Sequence, residues 1–216
     1  MFVGHFGVGF GGKAVAPRIS LGTLFLSAQF LDLLWPTFLL LGMEKVAIVP
    51  GITRVTPLDF ISYPISHSLL TAVGWGGLFA LVYGLLTRYQ AGAIVAGILV
   101  VSHWILDAVM HRPDLPLYPG GELRIGFGLW NSLGATLLIE LSLFALGVWL
   151  YFRSTRARDR AGSIGAWALV AFLLLVYVGN LTGDPPPSET VLAWVGQAQW
   201  LIVLWGFWID RHRVAA

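Results

Sequence analysis

The sequence predicts an all-α protein, a polytopic integral membrane helical bundle with about six transmembrane helices plus an N-terminal apolar hairpin segment. Three observations predict it. Charged residues make up 11% of the chain and hydrophobic residues 57%, whereas soluble domains carry about 25% charged residues. Apolar runs of about 20 residues, long enough to cross a hydrocarbon core, recur along the chain. Proline, glycine and charged residues separate these runs and end the helices.

The first apolar segment, residues 1–16, covers only about 24 Å as a helix and is too short to span comfortably. "APR" at 16–18 predicts the turn of a helical hairpin, and the glycines of "GVGFGGK" predict close helix packing. Pro36 is expected to bend the first span. The spans are predicted at roughly 20–42, 67–87, 90–111, 124–152, 163–182 and 190–210. The whole chain, 1–216, is predicted to form a single membrane domain.

The distribution of basic residues predicts the orientation. Six spans divide the 13 Lys and Arg residues nine against four, and the richer side is expected to be cytoplasmic. The C-terminus then lies in the cytoplasm. The nine are Lys13, Arg18, Arg88, Arg153, Arg156, Arg158, Arg160, Arg211 and Arg213, and the four are Lys45, Arg54, Arg112 and Arg124.

Charge and cysteine content exclude several classes of function. A net charge of +2 gives no reason to expect a nucleic-acid partner. The absence of cysteine excludes a disulfide framework and a thiolate metal site. Membrane lipids are the partners that this composition predicts, and it gives no information on a protein partner or an oligomer.

The stretch "SHWILDAVMHRPDLP", Ser102 to Pro116, places His103, Asp107 and His111 four residues apart. Residues at this spacing lie on one helix face, so His103 and Asp107 can reach a common ion, with His111 nearer the rim. Imidazole and carboxylate ligands suit zinc, and manganese is an alternative. A hydrogen bond that settles both groups inside the bilayer is the other reading.

The topology predicts that further ligands join this pair. Ionisable residues within spans are costly and suggest a functional role. Asp32 lies midway to outward on the first span, and His67 opens the second span from the outer side. His5 reaches the same side if the hairpin forms. The predicted metal ligands are therefore His5, Asp32, His67, His103, Asp107 and His111.

Two further groups of polar residues are candidates. Glu140, near the middle of the fourth span, is predicted to be catalytic together with Asp107, as a ligand, a general base or a proton relay. Its alternative is a carboxyl group that is neutral or paired with a neighbour. Arg112 and Arg124 flank "PDLPLYPGGEL" and are natural contacts for an anionic substrate, unless they only anchor the interface.

Four motifs occur in an order that resembles a family of bacterial, membrane-bound, predicted metal-dependent hydrolases that includes LexA-regulated members. They are "GHFGVGFGGKAVAP", "LSAQFLDLLWP", "SHSLL" and "VVSHWILD". The resemblance covers about residues 1–120, which would be the hydrolase-like core, with additional transmembrane helices in 121–216. The family is remotely similar to zinc-dependent phospholipase C. The resemblance implies that His5, Asp32, His67, His103 and Asp107 match its metal ligands.

The chain departs from the family at two positions. Leu34 stands where the family usually has a second acid, and Ser62 where it usually has a further histidine. The resemblance therefore implies a site for one or two metal ions rather than a larger cluster. Loss of activity with retention of the fold is an alternative.

Together these features predict a membrane-embedded metal-dependent hydrolase that acts on a lipid or lipid-linked phosphoester, in the bacterial inner (cytoplasmic) membrane. Zinc or manganese would activate a water molecule, because a bound divalent ion lowers its pKa toward about 7. The alternatives are a non-catalytic membrane subunit and a metal or proton transport protein.

Overall fold

A computed structural model describes all 216 residues, of which 68% are helical. The long helices are α5 to α8, and shorter ones precede and follow them. The helices are α1 Val3–Val15, α2 Leu21–Ala28, α3 Phe30–Leu40, α4 Pro64–His67, α5 Leu69–Thr87, α6 Gln90–Met110, α7 Leu133–Ser154, α8 Arg160–Thr182, α9 Glu189–Gln197 and α10 Gln199–Arg211, with a 3₁₀ turn at Leu129–Asn131.

Five helical segments are long and apolar enough to cross a membrane: α5, α6, α7, α8, and α9 with α10 together. The pair α2 and α3 is a sixth if counted as one span, bent by 58°. This confirms the predicted helical membrane bundle. The bend lies at Gln29, between the two helices, whereas Pro36 sits inside α3. The first span is therefore bent, as predicted, but the bend lies seven residues before Pro36, at Gln29.

The predicted fourth span also differs at its start. Residues 124–132 precede α7 rather than belonging to it, because Arg124–Ile125 (β4) pairs with Leu115–Pro116 (β3) in a short antiparallel ladder. Two other two-stranded antiparallel sheets are present. One pairs β1 Lys45–Ile48 with β2 Leu58–Ser62, with Ala47 opposite Asp59, and the other pairs β5 Thr155–Ala157 with β6 Arg213–Ala215.

Helix α1 is short and lies inside the bundle, packed between α7 on one side and α2 on the other. A turn over residues 16–20 joins it to α2, as the hairpin predicts. The glycines permit a very close approach: a Cβ on Gly147 of α7 would lie 1.8 Å from the carbonyl oxygen of Gly7. Phe6, Phe10 and Phe25 pack edge to face beside this contact.

A buried ion pair fixes the other end of α1. Lys13 Nζ donates to the carbonyl of Ile19 at 2.6 Å and lies 3.3 Å from Asp210 Oδ1. Asp210 also accepts the backbone N–H of Leu21. These bonds tie the turn of the hairpin to α10, and the register of α1 determines where His5 lies at its other end.

Candidate metal centre

Helix α6 carries the first part of the centre. His103 Nε2 lies 3.2 Å from Asp107 Oδ2, and His111 Nε2 lies 4.0 Å from the same oxygen. All three residues are buried. The four-residue spacing therefore places them on one face, as predicted, and His111 is the outermost because α6 ends at Met110.

Helices α3 and α4 add Asp32 and His67. His67 Nε2 lies 3.4 Å from Asp32 Oδ1 and 3.7 Å from Asp107 Oδ2, and His103 Nε2 lies 3.6 Å from Asp32 Oδ1. We call Asp32, His67, His103 and Asp107 the four-donor cluster. Bonds of about 2.0–2.1 Å to a tetrahedral zinc ion place ligand atoms about 3.3 Å apart. Each of these four pairwise separations, 3.2 to 3.7 Å, is compatible with two ligands of one such ion.

Helix α1 brings His5 to the other oxygen of Asp107. His5 Nε2 lies 3.0 Å from Asp107 Oδ1, and the amino group of Met1 lies 2.7 Å from it. The His5 ring stacks on the His103 ring at 3.6 Å between centroids. His5, His103 and Asp107 form a second possible metal triad beside Asp32, His67 and His103. Both triads need His103 Nε2, and one nitrogen binds one ion, so they favour a single ion.

Outer hydrogen bonds hold the other ring nitrogens of His103 and His111, whereas His5 Nδ1 is buried without a partner. His103 Nδ1 donates to the carbonyl of Ala28 at 2.7 Å, and His111 Nδ1 donates to Asp114 Oδ1 at 2.9 Å. When these nitrogens donate, the hydrogen of each neutral imidazole is on Nδ1 and the lone pair is on Nε2. Metal-binding histidines are usually oriented by such outer partners.

A relay through a serine orients His67 in the same way. Ser66 Oγ donates to Glu44 Oε2 at 2.6 Å and lies 2.7 Å from His67 Nδ1. A hydroxyl has one hydrogen, so Ser66 must accept from His67 Nδ1–H. Glu44 Oε1 accepts the backbone N–H groups of Ile65 and Ser66, both at 2.8 Å. The lone pair of His67 is therefore also on Nε2.

Tryptophan side chains hold the chain around His67 in place. Trp104 Nε1 on α6 donates to the carbonyl of His67, and Trp75 Nε1 on α5 donates to the carbonyl of Ile65, both at 2.9 Å. Ser68 then caps α5 by accepting from Thr71 N. These bonds fix the end of α4 against α6 and hold the backbone of His67 beside Asp32 and Asp107.

The resulting electrostatics favour positive charge at the centre, and the amino group of Met1 supplies part of it to Asp107 Oδ1. Three Nε2 lone pairs face the carboxylate oxygens of Asp32 and Asp107, so acceptors face acceptors. His103 is fully buried, and its Nε2 makes no hydrogen bond. A buried polar atom without a partner is costly. A divalent ion among these four donors, or protons on the imidazoles, would remove the repulsion, and the nitrogen and oxygen donor set suits zinc or manganese.

Two groups outside the membrane-spanning helices flank the cluster. Burial lowers the pKa of His111 below its ordinary value, so its imidazole is neutral at pH 7. Burial also raises the pKa of Tyr63, whose hydroxyl donates to Asp114 Oδ1 at 2.8 Å. Asp114 therefore receives two hydrogen bonds and holds His111 toward Asp107.

Glu140 on α7 lies beside the centre but binds the start of α1. Its Oε2 accepts the backbone N–H of Phe2 at 2.9 Å and that of Gly4 at 3.1 Å. A carboxylate at a helix N-terminus satisfies unpaired N–H groups and matches the helix dipole. These bonds position His5, one residue along α1. The catalytic role of Glu140 stays a prediction.

A cavity of about 440 Å³ opens onto one side of the centre. Asp32, His67, Asp107 and His111 line it, while His5 and His103 do not. Arg112 and Arg124, the predicted anion contacts, do not line it. Arg112 instead pairs with Asp59 at 2.6 Å, and Arg124 lies 3.3 Å from the carbonyl of Asp114. Arg54 is the one Lys or Arg on the cavity wall, and its side chain makes no ion pair.

Sequence reasoning missed the outer partners Glu44, Ser66 and Asp114. Ser66 and Asp114 are one and three residues from predicted ligands, so their proximity was a usable signal. Glu44 stands 22 residues before Ser66 and offered only the signal of a single acid between apolar segments.

Comparison with known proteins adds no relative. A scan against models of protein families, a search of curated proteins and a search of solved structures each returned no match. The resemblance to membrane-bound metal-dependent hydrolases therefore stays a prediction that rests on the motifs themselves.

Proposed function

We propose that the chain is a membrane-embedded metal-dependent hydrolase that acts on a lipid or lipid-linked phosphoester. One observation carries the proposal: the oriented imidazoles of His67 and His103 direct Nε2 lone pairs at the carboxylates of Asp32 and Asp107, an arrangement that suits a divalent cation. We also propose that the protein lies in the bacterial cytoplasmic membrane with its C-terminus in the cytoplasm, as the nine-to-four bias of basic residues favours.

The residues divide by their position around the cavity. His67, His103 and Asp107 would hold a zinc or manganese ion, since they are the buried members of the four-donor cluster. A divalent ion there supplies Lewis-acid chemistry, which polarises a phosphoryl group and acidifies water. The side chain of Asp32 is 23% exposed, on the cavity side. Its carboxylate can take the proton of the attacking water and return it to the leaving oxygen as the P–O bond breaks.

Arg54 supports a phosphoester as the substrate. Guanidinium groups bind phosphate through two parallel hydrogen bonds. Arg54 lines the same cavity as Asp32 and has no carboxylate partner. Its backbone N–H donates to the carbonyl of Trp130 at 3.0 Å, which fixes its position at the cavity. A phosphate held by Arg54 would face the acidic centre from the cavity side.

Metal content tests the proposal. Wild-type protein prepared with zinc or manganese and without chelator should contain about one ion per chain by elemental mass spectrometry. His103→Ala and Asp107→Ala should lose it while keeping the helical circular dichroism. His212→Ala is the matched control, because this histidine pairs with Asp159 outside the centre. Wild-type protein without metal, at full helicity, would refute the proposal.

Phosphoester turnover tests the chemistry separately. We expect metal-dependent hydrolysis of a p-nitrophenyl phosphodiester in wild type and its loss in Asp32→Asn with the metal retained. A metal-loaded protein that hydrolyses no phosphoester would instead support the non-catalytic subunit that Leu34 and Ser62 allow.

A proton or metal transporter is the second candidate. His103 Nε2 lies between Asp32 and Asp107, so a protonated imidazole would also satisfy both carboxylates. Beyond the centre, however, α1 continues with its own buried side chains Phe6 and Phe10, which belong to an apolar core cluster. That core gives no polar path toward Lys13. A pH change in dye-loaded proteoliposomes that depends on His103 would favour transport over hydrolysis.

A further inference from the structure

A second cavity, of about 570 Å³, adjoins the first. It lies among α3, α8, α9 and α10, where α9 and α10 meet at Ala198. The two cavities share a wall, and we call the second the apolar chamber. Its shared residues are Phe2, Asp32, Trp35, Leu58, Asn180 and Leu192.

The two cavities differ in chemistry. The first contains imidazoles, several carboxylates and Arg54. In the chamber, Asp32 is the only charged side chain, at the shared wall. Aliphatic and aromatic side chains make up most of the remaining wall, among them Phe172, Val176 and Trp205. Its volume falls in the range of about 300–1,000 Å³ typical of ligand sites.

The chamber reaches the surface of the membrane-spanning helices. Val195 and Leu201 line it and are 65% and 66% exposed. Both belong to the segment Glu189–Arg211, which is apolar enough to cross a membrane. Gln197 Nε2 donates to Thr37 Oγ1 at 2.9 Å and ties α9 to α3 beside the chamber. A hydrocarbon chain could therefore enter sideways from the lipid while its polar end stays near Asp32.

We propose that the apolar chamber binds one hydrocarbon chain of an amphiphilic phosphoester, whose phosphate lies in the first cavity between Arg54 and the four-donor cluster. The proposal rests on the proposed function for the identity of the headgroup. The shared wall at Asp32 supports the proposal. The polar cavity and the apolar chamber, which share this carboxylate, match the two ends of such a molecule. Moving a hydrocarbon chain from the lipid into the chamber excludes little water, because lipid tails are as apolar as the chamber wall. Binding of the chain therefore depends on how well its shape fits the chamber.

A binding experiment tests the chamber without turnover. The probe is dodecyl phosphate with a photoactivatable diazirine in its chain, mixed with metal-loaded protein in nanodiscs, and cross-links are located by mass spectrometry. We expect them on Val176, Phe172 or Trp205, with competition by unlabelled dodecyl phosphate. Val176→Trp should reduce them at least about tenfold by filling the space.

The control is Val178→Trp on the same helix, because Val178 is 53% exposed and lines neither cavity. Leu201→Trp blocks the chamber at its rim, where added volume meets no core, and should also reduce cross-linking if Val176→Trp folds poorly. Cross-links spread over lipid-facing positions such as Leu86 and Leu138, unchanged in both blocking variants, would overturn the proposal.

Turnover separates this proposal from the proposed function. With soluble p-nitrophenyl alkyl phosphodiesters, each added methylene should lower KM up to about fourfold in wild type and much less in Val176→Trp. Hydrolysis with no dependence on chain length would refute the chain site and still support the proposed hydrolase. If unlabelled dodecyl phosphate competes with cross-linking in the chamber but no phosphoester is hydrolysed, the chain site is supported and the proposed hydrolase is refuted.

Discussion

The substitution Glu44→Gln should weaken metal binding, although Glu44 lies outside the set of ion ligands. In the protein, Glu44 Oε1 accepts from two backbone N–H groups, and Oε2 accepts from Ser66 Oγ. A glutamine of the same shape must keep its oxygen toward the two backbone donors. Its NH₂ group then faces Ser66, which is fully buried and within 2.7 Å of His67 Nδ1.

This change reverses the hydrogen bonds along the relay. Ser66 would accept from the new amide and donate to His67 Nδ1, which moves the imidazole hydrogen onto Nε2, the atom that faces the ion. To bind metal, the variant must keep its original tautomer and leave the Ser66 hydroxyl hydrogen without an acceptor. A buried unpaired donor costs about 1–3 kcal/mol. We therefore expect the metal Kd to rise by about 10- to 100-fold.

Isothermal titration of Zn²⁺ into chelator-stripped protein measures this change. The matched control is Glu122→Gln, the same substitution at an exposed position whose carboxylate makes no ion pair. Ser66→Ala should lie between the two, because it removes the relay without imposing the wrong tautomer. If Glu44→Gln keeps the wild-type Kd while its Tm falls, Glu44 only anchors the chain before α4, and the tautomer argument is wrong.

Three shorter predictions concern the fold. Gly147→Ala should lower the free energy of unfolding by about 1–3 kcal/mol, because its Cβ would lie 1.8 Å from a carbonyl oxygen of α1, whereas Gly134→Ala, with open space around it, should be neutral by denaturant titration. Lys13→Met should cost about 1–3 kcal/mol, since it takes the cation from Asp210, whose side chain is 16% exposed, and the double variant with Asp210→Asn should recover part of that loss. Burial lowers the pKa of His111, so the unfolded chain protonates this imidazole at a higher pH than the folded protein does. Metal-free protein should therefore lose stability as pH falls below about 6.5, and the loss of Tm should be smaller in His111→Asn.

The sequence predicts the helices best where their ends have local causes. The predicted spans 67–87 and 90–111 lie close to the observed Leu69–Thr87 and Gln90–Met110, since capping and turn residues end them locally. The bend at Gln29 and the late start of α7 have tertiary causes. At the first, Gln29 is buried and its amide makes no hydrogen bond, and at the second, a strand pair forms across a loop. Neither has a periodic signature.

The candidate site divides in the same way. The spacing of His103 and Asp107 places both on one face of any helix, so it is predictable from residues alone. The meeting of Asp32 and His67 with this pair follows from the alternation of spans. The relay through Glu44 depends on how the β1–β2 hairpin folds over α4, and the sequence does not encode that contact in any short pattern.

Metal should also stabilise the fold, because the four-donor cluster joins α3, α4 and α6 through groups that otherwise repel one another. A ligand that binds only the folded state adds RT ln(1 + [L]/Kd), or about 2.7 kcal/mol at 100 times Kd. Thermal unfolding of wild type in detergent should therefore shift upward with Zn²⁺, while His103→Ala should show no shift. A metal-dependent shift that persists in His103→Ala would place the ion elsewhere. A high wild-type Tm without any metal would mean that protons on the imidazoles already satisfy Asp32 and Asp107, which is the state a proton carrier requires.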